Sequence, residues 1–243
     1  MEIQNKKHCT AIVLSAGQGK RMGTKVQKQY IEIDEKPIIY YTLKAFQESG
    51  IIDEIIMVVG EGDVAYARAE IVEKYAFSKV AHIVEGGKER YDSVWRGLQV
   101  IANDEREDSR ESFVFIHDGA RMFVDDEILH RGYETVEVYK ACVAGMPSKD
   151  TVKIVDDAEC AIETPVRKYV WTVQTPQIFE TGLILEAYAK LMDTDHENVT
   201  DDAMVVESMM HVPVKLFEAS YENIKLTTPE DLEIAKMFLK KRK

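Results

Sequence analysis

The 243-residue chain is 45% hydrophobic and carries 43 acidic against 31 basic residues, a formal charge of −12 at pH 7. That length and apolar content suit one α/β core, and the negative field excludes long polyanions such as nucleic acid or an anionic membrane; a local cluster of cations then points to a small anionic ligand. Three widely spaced cysteines, Cys9, Cys142 and Cys160, suit a reducing, cytoplasmic setting, and the opening "MEIQNKKHCTAIVL" is too short in apolar residues for a signal peptide.

In chain order, β-branched runs bounded by turn residues recur at "TAIVLSAG", "IIDEIIMVVG", "KVAHIVEGG", "SFVFIHDGA" and "KACVAGMP". Helical patterns stand between the first four and again before the fifth, and this alternation predicts a mostly parallel sheet flanked by helices. The first helix, "PIIYYTLKAFQES", opens at Pro37 and lines up Ile38, Ile39, Thr42, Leu43 and Phe46 as one apolar stripe. "VAYARAEIVEKY" and "DSVWRGLQVIA" carry similar stripes, the second with Asp92 as its expected cap. After residue 146 the texture changes: residues 147–174 alternate in short segments without a helix signal, and are expected to form an inserted β-arm of a single domain spanning 1–243. Helix, strand, turn and helix return through "TGLILEAYAKLM", "DDAMVVESMM", "VPVKLFEA" and "PEDLEIAKMFLKK", whose closing lysines suit a helix C-terminus. "ENIKLTTPEDL" is expected to end a short strand before a proline-started helix, with Lys225 either projecting into a ligand crevice or, as lone lysines usually do, standing solvated on the surface.

Three further motifs carry chemistry. "SAGQGKRMGTKVQKQY" follows the first apolar run and holds Gly17, Gly19 and Gly23 with Lys20, Arg21, Lys25 and Lys28. Its glycine spacing misses the dinucleotide fingerprint by one residue, the next strand ends in Gly60 where that fold places an acid, and no Gly-Lys-Ser/Thr closes a P-loop. What remains is a glycine-rich turn whose backbone N–H groups face phosphates while the cations neutralise them, or an ordinary strand-to-helix turn with a solvated basic face. "FVFIHDGAR" places Asp118 and Arg121 at the carboxyl end of a central strand, where open α/β sheets bind ligands; Asp118 is either a magnesium ligand or a turn residue, and His117 reads as a packed side chain. "GGKERYDSV" is another flexible turn with Arg90 and Ser93 leading into a helix; it either holds a nucleobase through backbone groups and a hydroxyl or simply starts the helix.

Taken in order, "AIVLSAGQGKRMG", "KQY", "GGKERYDSV", "HDGAR", "KDTVK", "WTVQTPQ", "VTDDA" and "NIKLTTPEDL" resemble the 2-C-methyl-D-erythritol 4-phosphate cytidylyltransferase family of the non-mevalonate isoprenoid pathway over nearly the whole chain. The first motif alone is similar to sugar-nucleotide pyrophosphorylases in general; "KQY", "TPQ", "TDD" and "NIK" together mark the cytidylyltransferase branch. The neighbouring ribitol-5-phosphate cytidylyltransferases share the loop, the lysine and "TPQ", whereas "HDGAR" and "VTDDAMVVE" look more like the methylerythritol enzymes. A noncatalytic nucleotide-binding protein on the same scaffold is the reading from another class, and the presence of both Lys28 and Asp118 disfavours it.

The resemblance implies a Rossmann-like nucleotidyltransferase fold and cytidylyl transfer from CTP to methylerythritol phosphate with Mg2+. It implies that Ser15, Ala16, Gly17, Gly19 and Lys20 line the CTP site, that Arg21 and Lys28 stabilise the reacting phosphates, that Gly87, Arg90 and Ser93 face the nucleotide, and that Asp118 holds magnesium. Arg121, Thr151, Thr175 and Thr200 are implied around the sugar phosphate, with Arg167 and Lys225 gripping its phosphate. It further implies a homodimer in which the arm of one chain serves the site of the other. Three positions depart from the family pattern: Gln27 before "KQY", Met122 after "HDGAR", and Val166 before Arg167.

Overall fold

In the computed structural model, the described residues are 6–17, 27–103, 109–194 and 199–242. Their central sheet is built from β1 (Cys9–Ser15), β4 (Glu54–Val59), β5 (Val80–Glu85), β6 (Phe113–Asp118), β7 (Ala141–Pro147), β10 (Trp171–Glu180) and β11 (Lys215–Glu218). Two small hairpins accompany it, β2 (Glu32–Ile33) with β3 (Lys36–Pro37), and β8 (Ile154–Val155) with β9 (Ala161–Glu163). The order is β11-β7-β10-β6-β1-β4-β5. All pairings in the sheet are parallel except those of β10, which runs antiparallel to both β6 and β7.

β1 shows why the sheet is two-sided. Ala11 and Val13 point into one apolar layer, with Leu43 and Phe46 of α1 (Ile38–Glu48) and Leu129 and Tyr133 of α4 (Asp126–Tyr139). Ile12 points into the other, with Val94 and Leu98 of α3 (Arg90–Ala102), Ile184 and Tyr188 of α5 (Thr181–Met192) and Val206 of α6 (Asp202–Met210). A strand buried on both faces reads as an unbroken apolar run, as "TAIVL" does. A third cluster, Ile33, Ile38, Met122, Phe123, Leu226 and Ala235, packs α7 (Pro229–Arg242) against the β2–β3 hairpin.

The chain leaves β1 towards β4 and β5 on one side and returns to β6 on the other. Loops that diverge from neighbouring strands in this way leave a crevice at the strands' carboxyl ends, and this is where the motif residues lie.

Several expectations need correction. The stripe of the first helix is the buried face of α1, but Pro37 is its N-cap and not its first residue. The segment 64–73 is helical with two turn geometries: α2 (Val64–Tyr66) passes into a wider π-helical stretch, Ala67–Glu73, that buries Ala67 and Ile71. α3 starts earlier than expected. Its N-cap is Glu89, and Asp92 sits at the third helical position, where its side chain closes a capping box on the Glu89 N–H. Residues 171–174, placed in the arm by pattern, belong to β10, and 171–173 pair with the end of β7. No strand forms at "ENIKL": the segment is fixed by single bonds instead, among them Leu226 N–H to Ala120 O at 3.0 Å. "DDAMVVESMM" forms α6, capped by the Asp201 carboxylate on the Met204 N–H.

Candidate active site

Asp118 ends β6, and its carboxylate is the hub of the crevice. Lys225 Nζ lies 2.8 Å from Oδ2, Arg90 Nε 3.3 Å from Oδ1 and Arg121 Nε 3.9 Å from Oδ2. Burial opposes its charge, but Arg90, Lys225 and Arg121 outweigh burial and hold the carboxyl far below the usual carboxylate range. The backbone fixes the hub as well, since the Asp118 N–H donates to Thr175 Oγ1 at 3.1 Å.

Around this hub a cavity of about 190 Å³ is lined by Ser15, Ala16 and Gly17 from the end of β1, by Lys28, by Gly87, Arg90 and Ser93 from the start of α3, and by Lys225. Two glycines make that wall thin. A Cβ on Gly86 would stand 2.6 Å from the Ala16 Cβ and 2.7 Å from Ser93 Oγ, and one on Gly87 would stand 2.2 Å from the Asp92 Cβ. Only glycine lets the turn lie this close to the loop and the helix. Ser93 Oγ accepts from the Gly87 N–H at 3.1 Å and so holds the turn's shape.

The cations are braced from behind. Arg90 directs its two terminal NH2 groups at Asp202, 2.9 and 2.8 Å from its carboxylate oxygens, and the Tyr188 hydroxyl donates to the same carboxylate at 2.6 Å. Burial works against the Arg90 charge, yet Asp202 and then Asp118 raise its affinity for the proton well above the ordinary value. Arg121 donates to Asn223 O at 2.9 Å, and fully buried Asn223 donates in turn to Thr175 O and Gln174 Oε1. This sets the backbone two residues before Lys225. Lys28 Nζ reaches Leu226 O at 3.5 Å, one residue after it. His117 faces away from the cavity. Its ring packs against Phe46 and bonds Thr175 Oγ1 and Arg121 O, and burial lowers its pKa to about 4, so it is neutral in the core as the sequence suggests.

The fold therefore brings together Ser15, Ala16, Gly17, Lys28, Gly87, Arg90, Ser93, Asp118 and Lys225, with Arg121 and Thr175 directly behind. Gly19, Lys20 and Arg21 lie outside the described residues. Thr151 and Arg167 are exposed on the arm, where Arg167 donates to Lys149 O at 3.2 Å, and Thr200 is exposed before α6; none of these three lines the cavity of this chain. Pattern reading passed over Gln29, Asp202 and Asn223, all buried. Their only signal is a polar residue inside a quoted motif, "KQY", "TDD" or "NIK".

Two of the unusual positions are integrated locally. Gln27 donates to Asp63 at 2.7 Å and accepts from Gln29, which also donates to Ser15 O at 2.7 Å; Met122 is buried in the third cluster. Val166 is exposed on the arm.

Comparison with known proteins places this geometry. The family model "2-C-methyl-D-erythritol 4-phosphate cytidylyltransferase" (IspD) matches residues 9–241. The chain is similar to a protein of that name from Lachnospira eligens, 50% identical over 232 residues that cover 95% of this chain and 99% of the relative. It is also similar to one of the same name from Alkaliphilus oremlandii, 45% identical over 241 residues with 99% of each chain covered. Among solved structures, 4-diphosphocytidyl-2C-methyl-D-erythritol synthase from Anaerococcus prevotii superposes with a TM-score of 0.84 at 34% identity, covering 97% of each chain.

Proposed function

The chain belongs to the 2-C-methyl-D-erythritol 4-phosphate cytidylyltransferase family, and on that premise we propose how its crevice transfers the cytidylyl group of CTP to methylerythritol phosphate with release of pyrophosphate. The observation that carries the reading is the convergence of Lys28, Arg90 and Lys225 on one cavity, with Asp118 at its floor and Arg121 behind it.

The reaction needs little general-base help. A phosphate monoester is already largely dianionic near neutral pH, and its oxygen attacks the α-phosphorus of CTP in line. The barrier lies in bringing two polyanions together and in neutralising charge as it moves to the leaving group. Accordingly the site offers cations and backbone, and among the described residues that line it there is no nucleophile and base pair. Ser15, Ala16 and Gly17 present the loop to the triphosphate, joined by Gly19, Lys20 and Arg21. Lys28 follows the charge that grows towards pyrophosphate. Gly87 and Ser93 form the wall for the cytosine. Lys225 and Arg121 receive the acceptor's phosphate, with Thr175 beside its sugar.

A divalent metal, Mg2+ in this proposal, fits the residues present. Such an ion is held by one or two carboxylates together with substrate phosphates, and Asp118 is an ionised carboxylate at the cavity floor. Among the described residues no cluster of three ligating side chains competes for it. When bound by Asp118 it supplies charge neutralisation to the phosphate oxygens.

The arm, residues 148–170 between β7 and β10, belongs to the same proposal. Ile154, Val155, Ile162, Val166 and Tyr169 are exposed on it. A surface so apolar suits a homodimer in which Thr151 and Arg167 of the partner chain complete this chain's acceptor site. We further take 1–243 as one catalytic domain in the cytoplasm. No helix among the described residues is long and apolar enough to cross a membrane, and Cys9, Cys142 and Cys160 are unbridged thiols.

Pyrophosphate release on mixing CTP with methylerythritol phosphate or with ribitol 5-phosphate, in parallel, tests the function. Faster turnover of the methylerythritol acceptor is expected. Faster turnover of ribitol phosphate moves the chain to the neighbouring specificity, and no release with either acceptor would mean a noncatalytic nucleotide binder.

A further inference from the structure

Asp202 lies behind the cavity, fully buried at the first position of α6, and contacts no part of the cavity surface. A buried carboxylate is costly unless its charge is matched and its oxygens are bonded. Here both oxygens are engaged by Arg90, and Tyr188 adds a third bond. The helix start around it is equally fixed. Gln177 Oε1 accepts from the N–H groups of Asp202 and Ala203, both at 2.9 Å, and Gln177 Nε2 donates to Asp201 at 3.0 Å.

The way Arg90 divides its donors gives this bracing a purpose. A guanidinium beside a carboxylate prefers the parallel, two-bond fork, which is the strongest arrangement available to it. Arg90 spends that fork on Asp202 and reaches Asp118 only side-on, through Nε at 3.3 Å. Were Asp202 uncharged, the fork would have Asp118 as its nearest ionised partner. It would then clamp the one carboxylate that faces the cavity from β6.

We propose that Asp202 is a positioning residue: by taking the fork of Arg90 it limits the guanidinium to one side-on contact with Asp118 Oδ1, so that a cation carried in with the nucleotide competes there with a single long bond, while Oδ2 stays with Lys225. This rests on the reading of the cavity as the CTP site. The same geometry makes Arg90 a fixed wall of the pocket and Tyr188, through its hydroxyl, part of the fixing. The ring of Tyr188 is stacked on Trp95 of α3, so the brace is anchored to the helix that carries Arg90.

The test reads cation binding without turnover. Full-length protein saturated with CTP, in the absence of acceptor, is titrated with Mn2+ and followed by electron paramagnetic resonance. Asp202→Asn keeps the shape but removes the charge, and is expected to weaken CTP-dependent Mn2+ binding about tenfold, the scale typical of groups that orient a metal ligand. Adding Arg90→Gln removes the fork that would swing, so the double variant should bind Mn2+ more tightly than Asp202→Asn alone. A merely structural role would lower the melting temperature and give no such reversal. Tyr188→Phe, which deletes one hydroxyl bond to Asp202, should shift Mn2+ binding about two- to threefold in the same direction. It carries the test if Asp202→Asn does not fold. Unchanged Mn2+ binding in a folded Asp202→Asn protein, or a loss that Arg90→Gln does not reverse, overturns the proposal. A wild-type protein that binds no Mn2+ in the presence of CTP overturns the reading of the cavity itself.

Discussion

The crevice and the arm are built on opposite principles. In the crevice Asp118, Asp202, Gln177 and Asn223 are buried, and each is held by partners distant in sequence. On the arm Thr151, Arg167 and every residue of the β8–β9 hairpin are exposed, and Ile162 and Tyr169 show 66% and 75% of their surface. Desolvated charges cannot rearrange cheaply, so the crevice is preorganised before substrate arrives. The arm's side chains have little within their own chain to hold them, and their proposed work is done against another. Precision comes from burial within one chain; in the proposed dimer, completion of the site comes from exposure to a second.

The largest effect should come from the crevice. Lys28→Ala is expected to lower kcat by about 10²–10³-fold, with a much smaller rise in KM for CTP, because its charge serves the transition state more than the ground state. Steady-state kinetics separate the two, and an effect confined to KM would make Lys28 only an anchor. Asp118→Asn follows, with about a 10- to 100-fold loss of activity and a weaker response to added metal, since the amide keeps the shape and loses the charge. An unchanged metal titration would return Asp118 to the role of a turn residue.

The contrast extends to stability. Cys9 is fully buried at the start of β1, and burial, opposed by Lys6 and reinforced by Asp53, pushes its pKa from the ordinary 9.0 up to about 12. The folded thiol keeps its proton where the unfolded one has lost it. The stability this contributes is therefore whole below pH 9 and is lost as pH rises through the window from 9 to 12. Denaturant melts at pH 9 and pH 10 should show a loss of about 1 kcal/mol from this group. Cys9→Ala should flatten that part of the slope, and an identical slope would show that the thiol ionises alike in both states. A matched pair of methylene deletions compares the two regions directly. Ile116→Val in the core of β6 should cost about 1 kcal/mol of folding stability, whereas Ile162→Val on the arm should cost less than about 0.5 kcal/mol. Equal losses would mean that the arm is packed within its own chain.

The same contrast explains what could be read from the sequence. Strands buried on both faces, such as β1 and β6, announce themselves as apolar runs, and α1 shows its stripe because five inward positions recur at helical spacing. β10 hides. Three of its buried residues, Gln174, Thr175 and Gln177, are polar, and Pro176 argues against a central strand, so "WTVQTPQ" looks like arm until its partners are seen. In the site, loop glycines and clustered cations are visible as local composition. Asp202, 112 residues from Arg90, and Asn223, 49 from Gln174, have meaning only through the fold. Lys225 lines the crevice from a loop, where the sequence pattern leads one to expect the end of a strand.

The central claim, a site whose preorganised half and exposed half come from different chains, is tested most directly by complementation. Lys28→Ala and Arg167→Ala chains are mixed in equal amounts, and subunit exchange is verified by mass spectrometry. If Arg167 serves the partner's crevice, each mixed dimer has one site with both lesions and one with neither. Random exchange makes about half of the dimers mixed, so activity should return to about a quarter of wild type. If Arg167 serves its own chain's crevice, every site carries one lesion and exchange restores nothing, a result that would contradict the shared site.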